Sequence, residues 1–262
     1  MSGNNRGIVL QERDRHLLRE LAVMRVIDRE LAKVVAGFGS TTRANARLLR
    51  LTRAGMLRRF FMGTEIGGTK AVYALSMKGA QKIAVPLRGP RRKQGEALVA
   101  DFFVRHQLAV NDIYCAAKYA NLPALAIHFH RWVAFREPVA PECRLIPDGY
   151  VEFDTPAGIL SAFLEVDLGN ESLTVWSEKV RKYLELAMSG EFERRFGQSR
   201  FRVIVTANSD RRLHSIRKMV AMKTQKVFWF ANHEAIRQNG LFAPVWVRPL
   251  GGHPQRLMEL PS

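Results

Sequence analysis

The chain has 262 residues, of which 47% are hydrophobic, and it carries 41 Lys and Arg against 24 Asp and Glu, a formal net charge of +17. This length indicates about two domains, and the hydrophobic content excludes a fully disordered basic tail. No apolar run could span a bilayer, and the first residues lack the apolar stretch of a secretory leader. The two cysteines, Cys115 and Cys143, fit a reducing compartment. We therefore expect a cytoplasmic protein with a polyanionic partner and no membrane association.

Positive charge is concentrated towards the N-terminal side of the chain. Residues 1–93 contain 20 Lys and Arg and 6 Asp and Glu, whereas residues 94–262 contain 21 and 18. A generally basic surface does not predict such segregation, so we expect the first third to bind a phosphate backbone. Proline, glycine and cations fill residues 86–95, which predicts a basic linker between domains over 1–85 and 96–262.

The N-terminal domain reads as three helices followed by a β-hairpin. Apolar residues at helical spacing predict helices over 11–24, over a short stretch after Asp28, and from about Thr41 to Ala54. Strand-like runs at 57–62 and 71–76 flank a glycine-rich loop. On the third helix, Arg43, Arg47 and Arg50 follow the spacing of one stripe beside the apolar face.

This order, together with the stretches 51–57 and 73–79, resembles the winged helix-turn-helix family. The resemblance implies that the third helix enters the major groove of duplex DNA and that the hairpin lies along the backbone. The residues implied to approach base edges are Thr41, Thr42, Arg43, Asn45 and Arg47. The residues implied to approach phosphates are Arg50, Arg53, Arg58, Arg59 and Lys70. The alternative is a winged helix used for protein contacts, with these arginines solvated.

The C-terminal domain is predicted to be an α/β sandwich around a mixed sheet, so that the whole chain is α+β. Two helices come first, then three strands, and then helices alternate with strands. The predicted helices are 96–106, 110–119, 173–188, 210–222 and a short one after 231. The predicted strands are 124–135, 144–153, 159–166, 201–207, 227–231 and 243–247.

Three acids follow apolar strand residues in this domain. Glu165 and Asp167 are two residues apart and point to one face of a strand, and a hairpin would bring Asp148 alongside them. Converging carboxylates repel one another unless a cation lies between them, and oxygen ligands favour Mg²⁺ or Mn²⁺. Such a metal would activate water for phosphodiester hydrolysis. Solvated acids at strand ends are the alternative.

Pro147-Asp148 and Glu165-Val-Asp167 resemble the two halves of the PD-(D/E)XK nuclease motif, which implies a restriction-endonuclease-like domain. Asp167 stands where this superfamily usually has lysine. Some branches take the lysine from the following helix, and Lys179 is then the candidate, with a surface lysine as the alternative. The resemblance implies Asp148, Glu165, Asp167 and Lys179 as catalytic residues, the three acids as metal ligands, and Glu96 as an additional acid.

The whole chain is also similar to the replication-relaxation family of plasmid and mobile-element proteins. The similarity rests on residues 106–112, 146–149 and 163–171, and on Lys179 with Tyr183. It implies a role in replication, origin relaxation or transfer, with duplex DNA as partner. Other replication or transfer proteins and a second copy of the chain are further candidate partners. Two functions stay open: a metal-dependent endonuclease or nickase, and a non-catalytic regulator or accessory factor with a degenerate nuclease fold.

Overall fold

The computed structural model describes residues 8–64, 67–87, 101–119 and 126–258. Most of the predicted linker at 86–95, and the candidate acid Glu96, lie outside these residues. The chain is mixed α+β, as expected, and separates into two compact units, residues 1–115 (unit 1) and 116–262 (unit 2).

Unit 1 contains a helical group and a small antiparallel sheet. Its strands have the order β1-β3-β2, and β2 and β3 form a hairpin in which Leu57 faces Leu75. Its elements are α1 (Glu12–Met24), β1 (Ile27–Asp28), α2 (Arg29–Ala36), α3 (Thr41–Arg53), β2 (Leu57–Gly63), β3 (Thr69–Leu75), α4 (Met77–Lys82) and most of α5 (Asp101–Lys118). The predicted order of three helices and a hairpin is therefore present, with β1 and α4 in addition.

The starts of α2 and α3 have a local cause in the sequence. The Asp28 carboxylate accepts a hydrogen bond from the Leu31 amide at 2.9 Å, and the Ser40 hydroxyl accepts one from the Arg43 amide at 3.2 Å. Both are N-caps, which satisfy amides that the first turn of a helix leaves unbonded. The cap at Ser40 fixes where α3 begins and thereby which of its residues face solvent.

Helix α4 packs closely against the segment that connects α3 to β2, and Gly79 makes this approach possible. A Cβ at Gly79 would lie 2.2 Å from the Met56 carbonyl oxygen, so any side chain there would displace the backbone. The hydroxyl of Ser76 accepts from the Gly79 amide at 2.9 Å and so caps the same helix. The basic side chains of α4 are thereby held next to those of α3.

The two helices predicted at 96–106 and 110–119 are one continuous helix, α5, and this part of the prediction was wrong. The cause is packing: the Asn111 amide donates to the carbonyl oxygens of Met24 and Val26 at 2.9 and 2.7 Å, and the Tyr114 hydroxyl donates to Glu20 at 2.6 Å. These buried contacts attach most of α5 to unit 1. The division between the units therefore falls within α5, whereas the sequence placed it at 86–95.

Unit 2 is built on a seven-stranded mixed sheet with strand order β10-β9-β8-β7-β6-β5-β4. Strands β4, β5 and β6 form an antiparallel meander, β6, β7 and β8 are parallel, and β9 and β10 return antiparallel. Its strands are β4 (His128–Val133), β5 (Gly149–Thr155), β6 (Gly158–Asp167), β7 (Arg202–Ala207), β8 (Phe228–Asn232), β9 (Trp246–Arg248) and β10 (Gly251–Gln255). Its further helices are α6 (Leu173–Met188), α7 (Glu191–Phe196), α8 (Asp210–Ala221) and α9 (His233–Asn239).

The main core of unit 2 lies between one face of this sheet and helices α6, α7 and α8. Alternate residues of the central strands enter it, among them Phe163 of β6, Val205 of β7 and Phe230 of β8, against Trp176 and Tyr183 of α6. Because Glu165 and Asp167 lie two and four residues beyond Phe163 on the same strand, they face the same helices. None of the helices in the described part of the chain is long and apolar enough to cross a membrane.

Candidate functional site

The first candidate site is the solvent-facing side of α3 in unit 1. Ala44, Leu48 and Leu51 are fully buried and attach this helix to the core. The side chains on the opposite side are exposed, and Thr41 at the first turn is partly exposed. The exposed polar residues are Thr42, Arg43, Asn45, Arg50 and Arg53.

Arg47 was predicted to read a base edge, and the structure corrects this prediction. Its guanidinium is buried and forms a two-point ion pair with Asp14 of α1, with Nε 2.8 Å from Oδ1 and Nη2 against Oδ2. A third hydrogen bond joins Nη2 to the Val9 carbonyl oxygen at 2.9 Å. The hydrogen bonds to Asp14 outweigh burial and raise the pKa of Arg47. Arg47 therefore joins α3 to α1, although its neighbours one turn away on either side are exposed.

The predicted phosphate contacts of the hairpin are less available than those of α3. Arg58 and Arg59 of β2 are partly buried, with their guanidinium carbons 5.4 Å from the Phe60 ring centroid and 5.0 Å from that of Phe61. Burial lowers the pKa of Arg58. Lys70 of β3 is exposed, but its ammonium pairs with Asp28 at 2.5 Å. The hairpin thus presents aromatic surface together with its charge.

Two lysines that the sequence reasoning did not select belong to the same basic surface. Lys78 and Lys82 of α4 line a cleft of about 1050 Å³ together with Arg50 and Arg53. Lys78 also donates to the Ala54 carbonyl oxygen at 3.0 Å. The four-residue spacing of the two lysines after the capping residue Ser76 was the available signal, because residues at i and i+4 share a helix face. The α3 arginines and the α4 lysines together are called the basic face: Arg43, Arg50, Arg53, Lys78 and Lys82.

The second candidate site lies where β5 begins and β6 ends in unit 2. Asp148 directly precedes β5, and its carboxylate accepts from the Val166 amide at 2.8 Å while its amide donates to the Leu164 carbonyl oxygen at 3.1 Å. These two hydrogen bonds join Asp148 to Leu164 and Val166, the residues on either side of Glu165. The predicted proximity of these two acids is present.

Glu165 is buried, with 1% of its surface exposed, and both of its carboxylate oxygens have partners. Oε2 accepts from the Lys179 ammonium at 2.8 Å, and Oε1 accepts from the Tyr183 hydroxyl at 2.6 Å. Burial raises the pKa of Glu165 to about 7, an effect that Lys179 opposes and Asp148 reinforces. Burial opposes the charge of Lys179, but its pKa is raised because the ammonium pairs with Glu165 and also with Glu171, at 2.7 Å. Lys179 thus lies beside Glu165, where the prediction of a lysine from the following helix requires it.

Asp167 was predicted as a metal ligand, and the structure instead uses its carboxylate as an internal anchor. Arg212 of α8 binds both oxygens, at 2.8 and 2.7 Å. The indole nitrogen of Trp176 donates to Oδ2 at 2.6 Å and the Gly169 amide to Oδ1 at 2.6 Å. Burial would raise the pKa of Asp167, but the hydrogen bonds from Arg212 and Trp176 outweigh it and lower the pKa. Asp167 therefore fastens the end of β6 to two helices.

The three predicted metal ligands are not gathered into one group in the structure. Among the residues that the structure describes, no group of three or more His, Cys, Asp and Glu side chains is placed to hold a metal ion. The reason is that cations of the protein itself, Lys179 and Arg212, occupy the positions beside Glu165 and Asp167. Arg212 was not among the site residues selected from the sequence. The sequence feature that could have drawn attention to Arg212 is its position three residues after Ser209. The Ser209 hydroxyl caps α8 by accepting from the Arg212 amide at 3.3 Å. We call this group the strand-end cluster: Asp148, Glu165, Asp167, Glu171, Lys179 and Arg212.

Comparison with protein families gives one match, to the family model described as replication-relaxation, over residues 16–199. The matched range is more than half of the chain. It includes the basic face and every member of the strand-end cluster except Arg212. Comparisons with curated proteins and with solved structures gave no match.

Proposed function

Because the chain belongs to the replication-relaxation family, which supports a role in the replication or relaxation of plasmid or mobile-element DNA, we propose that it binds duplex DNA through the basic face of unit 1. The observation that carries this proposal is the set of exposed arginines on α3. Within the described part of the chain, Arg43, Arg50 and Arg53 have no carboxylate partner. Uncompensated exposed cations on one helix face attract a phosphate backbone.

The arrangement of elements around α3 supports a winged-helix mode of binding. Three helices are followed by an antiparallel hairpin, the order in which the third helix enters the major groove. Arg43 and Asn45 lie near the start of α3, and these side-chain types form paired hydrogen bonds with guanine and adenine edges. Arg50, Arg53 and the two α4 lysines lie towards its other end, where they contact phosphates. Arg47 is buried and paired with Asp14, and it holds α3 in place beside this surface.

For unit 2 we propose a non-catalytic role: it holds or positions DNA, or a partner protein, in the nucleoprotein complex. The strand-end cluster supports this role because the carboxylates of Glu165 and Asp167 are each paired with a cation of the protein. Both oxygens of Glu165 and both of Asp167 are engaged by protein donors. A metal ion would have to displace Lys179 or Arg212 from these short contacts. The predicted Mg²⁺ or Mn²⁺ site therefore does not fit the side chains as they are placed.

The binding proposal is tested by fluorescence anisotropy with a labelled duplex. We expect the triple variant Arg43→Ala/Arg50→Ala/Arg53→Ala to lose most affinity, because each phosphate contact contributes to the electrostatic part of binding. A matched control is Arg19→Ala, which removes one exposed arginine of α1 that is paired with Glu12 at 3.2 Å. Arg19→Ala should bind like the wild type. Equal affinity of the triple variant and the wild type would overturn the proposal.

The non-catalytic role of unit 2 is tested by incubating supercoiled plasmid carrying the cognate site with Mg²⁺ or Mn²⁺. We expect no conversion to the nicked or linear form. Nicking that depends on the metal and disappears in Glu165→Gln would reinstate the metal-dependent nuclease. Because DNA binding is read in the separate anisotropy experiment, this result would leave the function of the basic face intact.

A further inference from the structure

A second basic site lies in unit 2, at the opposite end of the sheet from the strand-end cluster. Arg202 begins β7 opposite Ala162, whereas Asp167 faces Ala207 at the end of the same strand pair. Five residues of extended strand separate the two ends by about 16 Å. Arg202, Trp229 and Arg248 line a cleft of about 650 Å³ at this end.

The indole of Trp229 holds the two guanidinium groups of this cleft. The guanidinium carbon of Arg248 lies 4.5 Å from the ring centroid, and that of Arg202 lies 5.4 Å from it. Arg248 also donates to the Gln225 carbonyl oxygen at 2.8 Å. Arginine stacked on an aromatic face keeps its N–H edge free for a planar partner. The stacking therefore fixes two donor groups along one wall of the cleft.

No carboxylate of the described residues forms an ion pair with either arginine. Glu193 lines the same cleft but is paired with neither of them. Burial lowers the pKa of Arg202 and Arg248, and the charge of Arg248 lowers that of Arg202 further. Two partly buried like charges without a counter-charge are unfavourable. The buried guanidinium of Arg47 is paired with Asp14, whereas Arg202 and Arg248 have no such carboxylate among the described residues.

We propose that the cleft formed by Arg202, Arg248 and Trp229 binds a phosphate group, with the exposed Arg200 at its rim. A phosphate offers several acceptor oxygens to two guanidinium forks and supplies the negative charge that this cleft lacks. The group comes either from free phosphate and mononucleotides or from the backbone of DNA held by unit 2. The site does not depend on the basic face of unit 1, since none of its residues belongs to that unit.

The test uses the full chain and inorganic phosphate, with sodium chloride at matched ionic strength as reference. Phosphate should raise the melting temperature of the wild type, because a ligand that binds the folded state stabilises it. In Arg202→Gln and Arg248→Gln the dissociation constant should rise about tenfold or more, as expected for loss of a charge-assisted hydrogen bond. The control Arg181→Met removes an exposed arginine paired with Glu178 at 2.9 Å and should respond to phosphate like the wild type. Arg248→Lys keeps the charge without the planar fork, and should fold normally with weakened phosphate binding.

A second set of measurements separates the two sources of phosphate. If the ligand is the DNA backbone, a short duplex should compete with inorganic phosphate and Arg202→Gln should weaken duplex binding. If the ligand is free phosphate or a mononucleotide, duplex affinity should be unchanged while phosphate still stabilises the wild type. Either result supports the site. An equal phosphate response in the wild type and in Arg202→Gln/Arg248→Gln, or no response in the wild type, would overturn it without affecting DNA binding by Arg43, Arg50 and Arg53.

Discussion

Replacing Arg47 separates the role seen in the structure from the role predicted from the sequence. Asp14 has no exposed surface and the Arg47 side chain is 9% exposed, so Arg47→Met leaves a buried carboxylate without its counter-charge. Removing one partner of such a pair costs about 3–5 kcal/mol. We expect a loss of this size in the free energy of unfolding of unit 1. Arg50→Met, one turn away and exposed, should change it by no more than about 0.5 kcal/mol.

The assay is urea unfolding, monitored by the hydrogen exchange of peptides from α1 and α3. Tryptophan fluorescence is unsuitable for this purpose because all four tryptophans lie in unit 2. The double variant Asp14→Asn/Arg47→Met removes the isolated charge and should recover much of the lost stability. The two variants should have the opposite effects on duplex affinity: Arg50→Met should weaken binding, whereas the folded Arg47→Met protein should bind like the wild type. If Arg47→Met is as stable as Arg50→Met and loses duplex affinity equally, Arg47 faces the groove and the ion pair is not formed.

Three further predictions concern unit 2 and base reading. Asp167→Asn should destabilise unit 2 by about 3–5 kcal/mol, because it leaves Arg212 without its counter-charge, and urea unfolding followed by tryptophan fluorescence would show this loss; unchanged unfolding would contradict the anchor role. Folding raises the pKa of the Glu165 carboxyl from 4.5 to about 7. The protonated carboxyl therefore contributes fully to stability below the unfolded-state pKa of 4.5. This contribution, in total about 3 kcal/mol, is lost as the pH rises through the folded-state pKa of about 7. Glu165→Gln should lack this decline between pH 4.5 and 7, and parallel stability curves for the two proteins would refute the assignment. Asn45→Ala should weaken binding to the cognate duplex by about 1–3 kcal/mol while leaving non-specific binding unchanged, whereas an equal loss on both duplexes would show that Asn45 reads no base.

Local patterns in the sequence were sufficient to predict the elements whose cause is local. Helix α6 has the predicted bounds of 173–188, because its apolar spacing and the Ser172 cap are contained in the segment itself. Helices α2 and α8 likewise begin after side-chain caps, at Asp28 and Ser209, that belong to the segments themselves. The continuity of α5 was missed because its cause, the hydrogen bonds of Asn111, involves residues more than 80 positions away.

The same distinction explains which site residues were misassigned. The spacing of Arg43, Arg47 and Arg50 places them on one stripe of α3. It does not reveal that Arg47 pairs with a buried acid, Asp14, which lies 33 positions earlier in the chain. Similarly, the pattern Glu165-Val-Asp167 predicts two acids on one face. It does not reveal that Arg212, 45 residues later, neutralises the second acid. Lys179 was selected because the resemblance to the nuclease superfamily allows the lysine to come from the following helix, and its ammonium lies beside Glu165 in the structure.

We propose above all that the basic face of unit 1 binds the phosphates of duplex DNA. The most direct measurement is the dependence of the duplex dissociation constant on salt concentration, for the wild type and for Arg43→Ala/Arg50→Ala/Arg53→Ala. Each lost phosphate contact should reduce the log–log slope by about 0.9, so if two of the three arginines contact phosphate the slope should fall by about 2. A slope that is the same in both proteins would place the DNA elsewhere and contradict the account.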